Sequence, residues 1–431
     1  MSHNPFSDLQ SNGKTLSAFF QSWPQDRPAQ LYFTLDEPAF TVCSRFYRVT
    51  DLDMLKATLG RTGSAGPVLP TSVAFDAAGK QRLHTNPLYR LARRVLQQRW
   101  PAALMVRSWF WRGRRWETPQ LERWLDEVDP DIIFFQSSNC TFAFDVVERI
   151  CERRNLPLIL ETTDDYLTPL HALDPIERIQ QRRISGAYQR AVTRSAAVIA
   201  IGDRMAEEYA HRFGGDYAVA MNSVESLAEK LLEVATEPPF VLHFAGNPGL
   251  NRWRVLAAIG AALDTLADEH GIDTRLEIFS LVEPEASVLT ELTSSPRVTF
   301  LGQADAEELA KRRSVAALLV HVESFDRKNQ HITRLSVSTK IPEYLSSGRC
   351  VLAVGPAAVA SIGYPVDNEA AAVATSPEVT DIAATIRQVL ADPTKQRAYA
   401  TRGPELVKRN HLRPVIAEMV QERVVAAVAE W

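Results

Sequence analysis

Short apolar runs alternate with amphipathic stretches along most of the chain. DIIFFQ (131–136), PLIL (157–160), AAVIAI (196–201), FVLHFA (240–245), VAALLVH (315–321) and CVLAV (350–354) are almost continuous in aliphatic and aromatic residues. Runs this short and this apolar predict strands buried on both faces of a parallel sheet. Between them, apolar positions recur at helical spacing over Phe142–Arg154, Pro175–Arg194, Arg204–Phe213, Trp253–His270, Thr380–Ala391 and Thr394–Leu406. Strands that alternate with helices need crossover connections, so an α/β class with parallel sheets is expected.

The pattern runs twice. Its first pass opens with LYFTL at 31–35, a loop at 36–44 and a helix over Arg45–Leu59. Residues 61–90 are punctuated by Gly and Pro and predict no clear element, whereas Ala102–Val106 reads as a strand and Thr118–Glu127 as a helix. The second pass starts at Phe240, after the linker-like Glu237-Pro238-Pro239. The expected organisation is a flexible polar lead-in at 1–29, a first Rossmann-like domain at 30–236, a second at 240–413, and a last amphipathic helix at 414–431.

Composition narrows the class. At 431 residues the chain is too long for one core. A net charge of −4, from 48 basic and 52 acidic residues, gives no bulk attraction to nucleic acid. Cys43, Cys140, Cys151 and Cys350 lack paired spacing and read as reduced packing cysteines. With no 18-residue apolar run and no signal-peptide core at MSHNPFSDLQ, a cytoplasmic location is expected. The stretch WPAALMVRSWFWRGRRW (100–116) holds four of the eight Trp and supports two readings. Either it is a surface patch meeting the inner membrane face or a sugar acceptor, or its Trp residues pack between helices.

The richest candidate chemistry lies in SVSTKIPEYLSSGRCVLAVG, 336–355. Ser338 or Thr339 suits an N-cap, Pro342 the first turn, and Gly348 the helix end. Lys340 and Glu343 share a face three residues apart. A helix start with a Lys attracts phosphate, and a carboxylate there can accept two sugar hydroxyls. That suits a nucleoside diphosphate; a surface ion pair is the alternative. A second candidate is the turn GNPGLNR (246–252), where Gly246, Asn247 and Gly249 allow close backbone approach and Arg252 could reach a pyrophosphate. Neither a G-x-G-x-x-G nor a P-loop pattern occurs. Glu323 and Asp326 sit in the polar loop 322–335, and Asp164 and Asp165 follow the strand at 157–160. The latter pair reads either as site acids beyond a strand end or as helix caps. Asp51-Leu52-Asp53 falls in the predicted helix, and no metal site is expected.

TKIPEYLSSGRCVLA resembles the donor-site pattern K-x-x-E-Y-L-A-x-G-x-P-V-[IL]-A of GT-B glycosyltransferases of family 4 (group 1), with Cys350 in the Pro position. MNSVE at 221–225 is similar to the P-N-G-V-D turn that closes their first domain. The resemblance implies two Rossmann-like domains facing a central cleft, with the last helix packing back on the first domain. It implies retaining, metal-independent, hexosyltransferase-like transfer from a nucleoside diphosphate sugar to a glycan, lipid-linked or other acceptor, as in polysaccharide biosynthesis. No cofactor beyond that donor is implied. Thr339 and Lys340 would lie at the donor, and Glu343 would bind its ribose. Two departures stand out. The family's E-x7-E pair would need an acid at Leu335, and its common His is replaced by Gln136. The catalytic group is therefore left among Glu323, Asp326, Asp164 and Asp165. An inactive partner subunit, or a sugar-nucleotide epimerase of the same fold, is the alternative.

Overall fold

The computed structural model describes residues 1–7, 11–58, 68–69, 101–169 and 174–431. The unassigned stretch 61–90 lies, apart from 68–69, outside them. The chain forms two compact units, Met1–Ala220 with Ala417–Trp431, and Met221–Ile416.

The first unit contains strands β1 (Ala29–Tyr32), β2 (Arg45–Arg48), β3 (Val68–Leu69), β4 (Ile133–Gln136), β5 (Leu158–Thr162), β6 (Ala197–Ala200) and β7 (Tyr217–Val219). Their order is β1-β2-β3 and β4-β5-β6-β7, parallel except for β2 with β3. Ser2 joins the two sets, bridging in parallel to Tyr32 on one side and Gln136 on the other. Ser2 N–H donates to the Leu31 carbonyl, Gln136 N–H to that of Met1, and the Met1 amino group to that of Phe134. The described residues of the expected lead-in at 1–29 are therefore built into the fold. Their first residues fill the middle of the sheet, and Ser11–Phe19 forms helix α1. A segment of three residues, one of them apolar, is too short to show any period, so the sequence reading passed over it.

Two more expectations change. The helix foreseen over 45–59 is the strand β2 followed by α2 (Asp51–Thr58). Thr50 opens that helix, its backbone N–H and hydroxyl both donating to Asp53 Oδ2. The strand foreseen at 102–106 belongs to helix α3 (Pro101–Arg112). Then follow α4 (Pro119–Val128), α5 (Thr141–Arg154), α6 (Pro175–Arg194) and α7 (Asp203–Phe213). Thr118 caps α4 and Asp174 caps α6, each with Pro at the first helical position. No described helix is long and apolar enough to cross a membrane.

In the second unit, six parallel strands lie in the order β10-β9-β8-β11-β12-β13. They are β8 (Phe240–Ala245), β9 (Thr274–Phe279), β10 (Val298–Gly302), β11 (Leu318–Val322), β12 (Val351–Val354) and β13 (Ala372–Ala374). This is the doubly wound Rossmann order, in which successive strands are added outward on opposite sides, the winding reversing between β8 and β11. The helices are α8 (Arg252–His270), α9 (Ala286–Leu292), α10 (Ala306–Val315), α11 (Arg327–Thr333), α12 (Lys340–Leu345), α13 (Ala360–Asp367), α14 (Val379–Leu390) and α15 (Pro393–Asn410), and the last helix, α16 (Arg413–Glu430), belongs to the first unit from Ala417 onward. Leu242, Ile259, Leu263, Ile278, Val320 and Leu352 are fully enclosed in the core of this unit.

The stretch before the expected linker belongs to the second unit, which begins at Met221 and not after Glu237. Asn222 Nδ2 donates to the Val337 carbonyl, Ala228 N–H to Ser346 and Leu232 N–H to Gly348. A strap held by backbone bonds leaves no apolar period, so the prolines were the more visible boundary.

Candidate nucleotide site of the second unit

Open α/β sheets bind ligands beyond the C-terminal strand ends, where the winding reverses. In the second unit that place lies beyond Ala245 of β8 and Val322 of β11. The sequence candidates of this half of the chain cluster around it.

After Ala245 the chain turns through Gly246–Asn251. Asn247 Oδ1 accepts the Gly249 N–H at 2.8 Å. A Cβ on Gly249 would stand 2.9 Å from that oxygen, so a side chain there would displace the Asn247 amide from this bond. Leu250 and Asn251 take positive φ values of 56° and 59°, an uncommon conformation for residues other than glycine. Asn251 caps α8 without a side-chain bond, and Arg252 is the first helical residue. The first amides of this 19-residue helix are used within the turn, Arg252, Trp253 and Arg254 N–H donating to the Gly249, Pro248 and Asn251 carbonyls.

Arg252 does not stand free there. Its Nη2 lies 3.0 Å from both carboxylate oxygens of Glu323, and its Nε lies 3.2 Å from Oε2. Glu323 follows β11 directly and is only 2% exposed. Burial raises its pKa, but the neighbouring His321 imidazole and the Arg252 guanidinium outweigh that and hold it below the ordinary value. Two residues assigned separate roles from sequence are therefore one ion pair. Asp326 is engaged as the cap of α11, accepting the Asn329 N–H at 3.1 Å. The loop expected over 322–335 contains that helix.

The signature segment enters the site through α12. The Ser338 hydroxyl accepts the Lys340 N–H at 3.3 Å, whereas Thr339 makes no side-chain cap bond. Gly348 takes φ 67°, the left-handed turn foreseen after the helix. Lys340 Nζ and Glu343 Oε2 are 2.8 Å apart, with side chains one-third and one-quarter exposed. They share a face and are paired to each other. Between them and the sheet stands Tyr344, which sequence reasoning missed. Its hydroxyl accepts the Ala245 N–H at 2.8 Å and donates to the Ala245 carbonyl at 3.2 Å. That phenol fastens α12 to the residue before Gly246. A Tyr on the buried face of a predicted helix was the available signal, because a buried phenol requires a partner. Lys340 with Arg312 and Arg313 also adds positive charge around buried His243, whose pKa falls to about 4, chiefly through desolvation. Leu335, where the family pattern has an acid, is a buried apolar side chain at 4% exposure.

The first-unit candidates lie elsewhere. Asp165 is buried, its Oδ1 accepting from Tyr209 at 2.9 Å, from Thr168 and from the Leu167 N–H, as a turn cap does. Asp164 is exposed and accepts from Asn12. A residue not singled out from sequence is more unusual. Glu161 is fully buried at the end of β5, in register with Gln136 on β4. Neither carboxyl oxygen has a hydrogen-bond partner of ordinary geometry among the described residues. Desolvation pushes its pKa up to about 8, against a smaller opposing effect of Gln136. Its signal was a lone acid closing a buried apolar run.

The Trp-rich stretch divides. Trp111 and Trp116 are buried, and Trp111 stacks on Phe142 at 4.0 Å while donating to Asp51. Arg107 also pairs with Asp51, so this acid is occupied structurally. Trp109 alone of the three is exposed, beside Arg112, Arg114 and Arg115.

No protein-family model matches the chain, and neither does any curated protein sequence. Solved structures do. Anabaena HepE in complex with UDP superposes with a TM-score of 0.59 at 14% identity, covering 99% of this chain and 98% of that one. WaaG, a glycosyltransferase involved in lipopolysaccharide biosynthesis, gives 0.54 at 12% identity, covering 98% and 97%. The sucrose-phosphate synthase of Thermosynechococcus elongatus gives 0.53 at 17% identity, covering 72% and 77%. The fold is that of GT-B glycosyltransferases, with two Rossmann-like domains.

Proposed function

We propose that the protein is a glycosyltransferase whose second unit binds a nucleoside diphosphate sugar. One observation supports this reading: Arg252, held by Glu323 at the end of β11, and the helix of Lys340, tied through Tyr344 to Ala245 at the end of β8, both flank the Gly-rich turn where the sheet reverses its winding. Leaving-group diphosphate gains negative charge during transfer, and preorganised cations lower the cost of that charge. Glu343 is suited to the ribose hydroxyls once Lys340 turns to phosphate. The HepE structures hold UDP and UDP-glucose, which makes these the first probes for this chain. Retention at the anomeric carbon, a hexosyl donor and independence from metal belong to the same proposal. So do a glycan or lipid-linked acceptor and a cytoplasmic setting. Trp109 with its neighbouring arginines is the surface that would carry a peripheral contact with the anionic inner membrane face.

Titration calorimetry with UDP, GDP, ADP and the corresponding nucleosides tests the site. A charged hydrogen bond is worth roughly 1.5–3 kcal/mol. Glu343→Ala should therefore weaken nucleotide binding by about one to two powers of ten. Lys340→Ala should weaken UDP more than uridine. Because their ion pair is partly exposed, melting should change little. If Glu343→Ala binds every nucleotide as the parent does, the site assignment fails. The apolar Leu335 gives a second reading some weight: tight donor binding with no turnover of UDP-glucose would indicate an inactive partner subunit.

A further inference from the structure

Resting on the donor-site reading above, we infer that Glu323 is a positioning residue, which holds Arg252 by Nε and Nη2 so that Nη1 is presented to the diphosphate. Glu323 is itself held on several sides. Its backbone N–H donates to the Val354 carbonyl at 2.9 Å. A Cβ on Gly355 would lie 3.0 Å from both Glu323 Cβ and its carbonyl oxygen, so glycine there allows this seating without either having to shift. His321 Nε2 stands 3.5 Å from Oε1. A carboxylate this enclosed offers a fixed fork for a guanidinium. Arg252 closes that fork with two nitrogens, while its Nη1 has no hydrogen bond among the described residues. A bidentate clamp fixes the plane of the guanidinium as well as its place, which a single charge on a flexible stem cannot do. With both oxygens engaged at 2% exposure, Glu323 is disposed to hold Arg252 and not to serve as the catalytic group it was a candidate for.

The sign of one substitution separates positioning from bulk charge. If Glu323 were only a counter-charge, Glu323→Gln would remove a repulsion and UDP would bind more tightly. Positioning requires the reverse, about tenfold weaker UDP with uridine unchanged, a loss of roughly 1.4 kcal/mol. Arg252→Ala should lose at least as much, and the double variant should bind no more weakly than Arg252→Ala alone, since the two residues act as one. A loss from general damage would reach uridine and the melting temperature as well. Arg252→Lys keeps the charge without the fork and should also weaken UDP, which keeps the test open where Glu323→Gln does not fold. GDP and ADP run in parallel, so the readout does not hang on the base. Parent-like or tighter UDP binding by Glu323→Gln, or parent-like binding by Arg252→Lys, overturns the positioning role. Parent-like binding by Arg252→Ala instead overturns the donor-site reading itself.

Discussion

Glu161 is a fully buried carboxyl of the first unit whose two oxygens have no hydrogen-bond partner of ordinary geometry among the described residues. A buried carboxyl without a partner stays neutral, because ionising it in a low-dielectric interior is costly. Its folded pKa near 8 exceeds the ordinary 4.5, so the folded chain binds this proton more tightly than the unfolded one. Its contribution to stability is therefore fully favourable below about pH 4.5 and is lost as pH rises toward 8. Glu161→Gln removes the titration at nearly constant shape. The variant should gain on the parent between those pH values, by on the order of 3–5 kcal/mol at the upper end. Denaturant unfolding at several pH values measures it, and a gain that does not change with pH would refute the assignment. What the sequence could show at this scale was residue type and spacing. Lys340 and Glu343 do share a face, because three-residue spacing fixes that in any helix. That Arg252 pairs with Glu323, seventy-one positions away, follows only from the juxtaposition of β8 and β11.

Among the elements, α12 matters out of proportion to its six residues. A helix this short makes little macrodipole of its own, and what places it is the Tyr344 phenol on Ala245. Tyr344→Phe keeps the ring and removes both hydrogen bonds, leaving the buried Ala245 amide without its partner. The cost should be about 1–3 kcal/mol of stability. UDP affinity should fall in parallel, since the turn after Ala245 loses its tie to the Lys340 helix. An unfolding midpoint equal to the parent's would show that the phenol is not what fastens them. Element type was legible wherever apolar period and length agreed, as in α6, α8, β8, β11 and β12. It was not legible at β2, where four residues run directly toward a capped helix and the two merged into one expected helix. Nor was it legible at Ser2, whose place in the sheet depends on neighbours that arrive much later in the chain.

At the scale of the whole molecule, the two units differ in what supports them. The second carries its own sheet and all the proposed donor residues. The first depends on a segment from the far end of the chain, because Ala417–Trp431 belongs to it. In that segment Val420, Val424 and Ala427 are buried at 0%, 5% and 3% exposure. Trp431 Nε1 also donates to the Asn155 carbonyl, and Gln421 accepts from Ser22. Fully burying one valine contributes roughly 1.5–3 kcal/mol, and the apolar surfaces these side chains cover would be exposed with them. Deleting Ala417–Trp431 should then lower the stability of the first unit by at least about 4 kcal/mol, a large part of a typical domain's margin. The second unit should keep its stability and its affinity for UDP. Hydrogen exchange read by mass spectrometry resolves this, because peptides from β4 and β5 report one unit and peptides from β8 and β11 the other. Protection should drop in the first pair and hold in the second. Equal loss in both would mean that the units do not have separate stabilities, and unchanged protection in β4 and β5 would mean that the terminal segment supports neither.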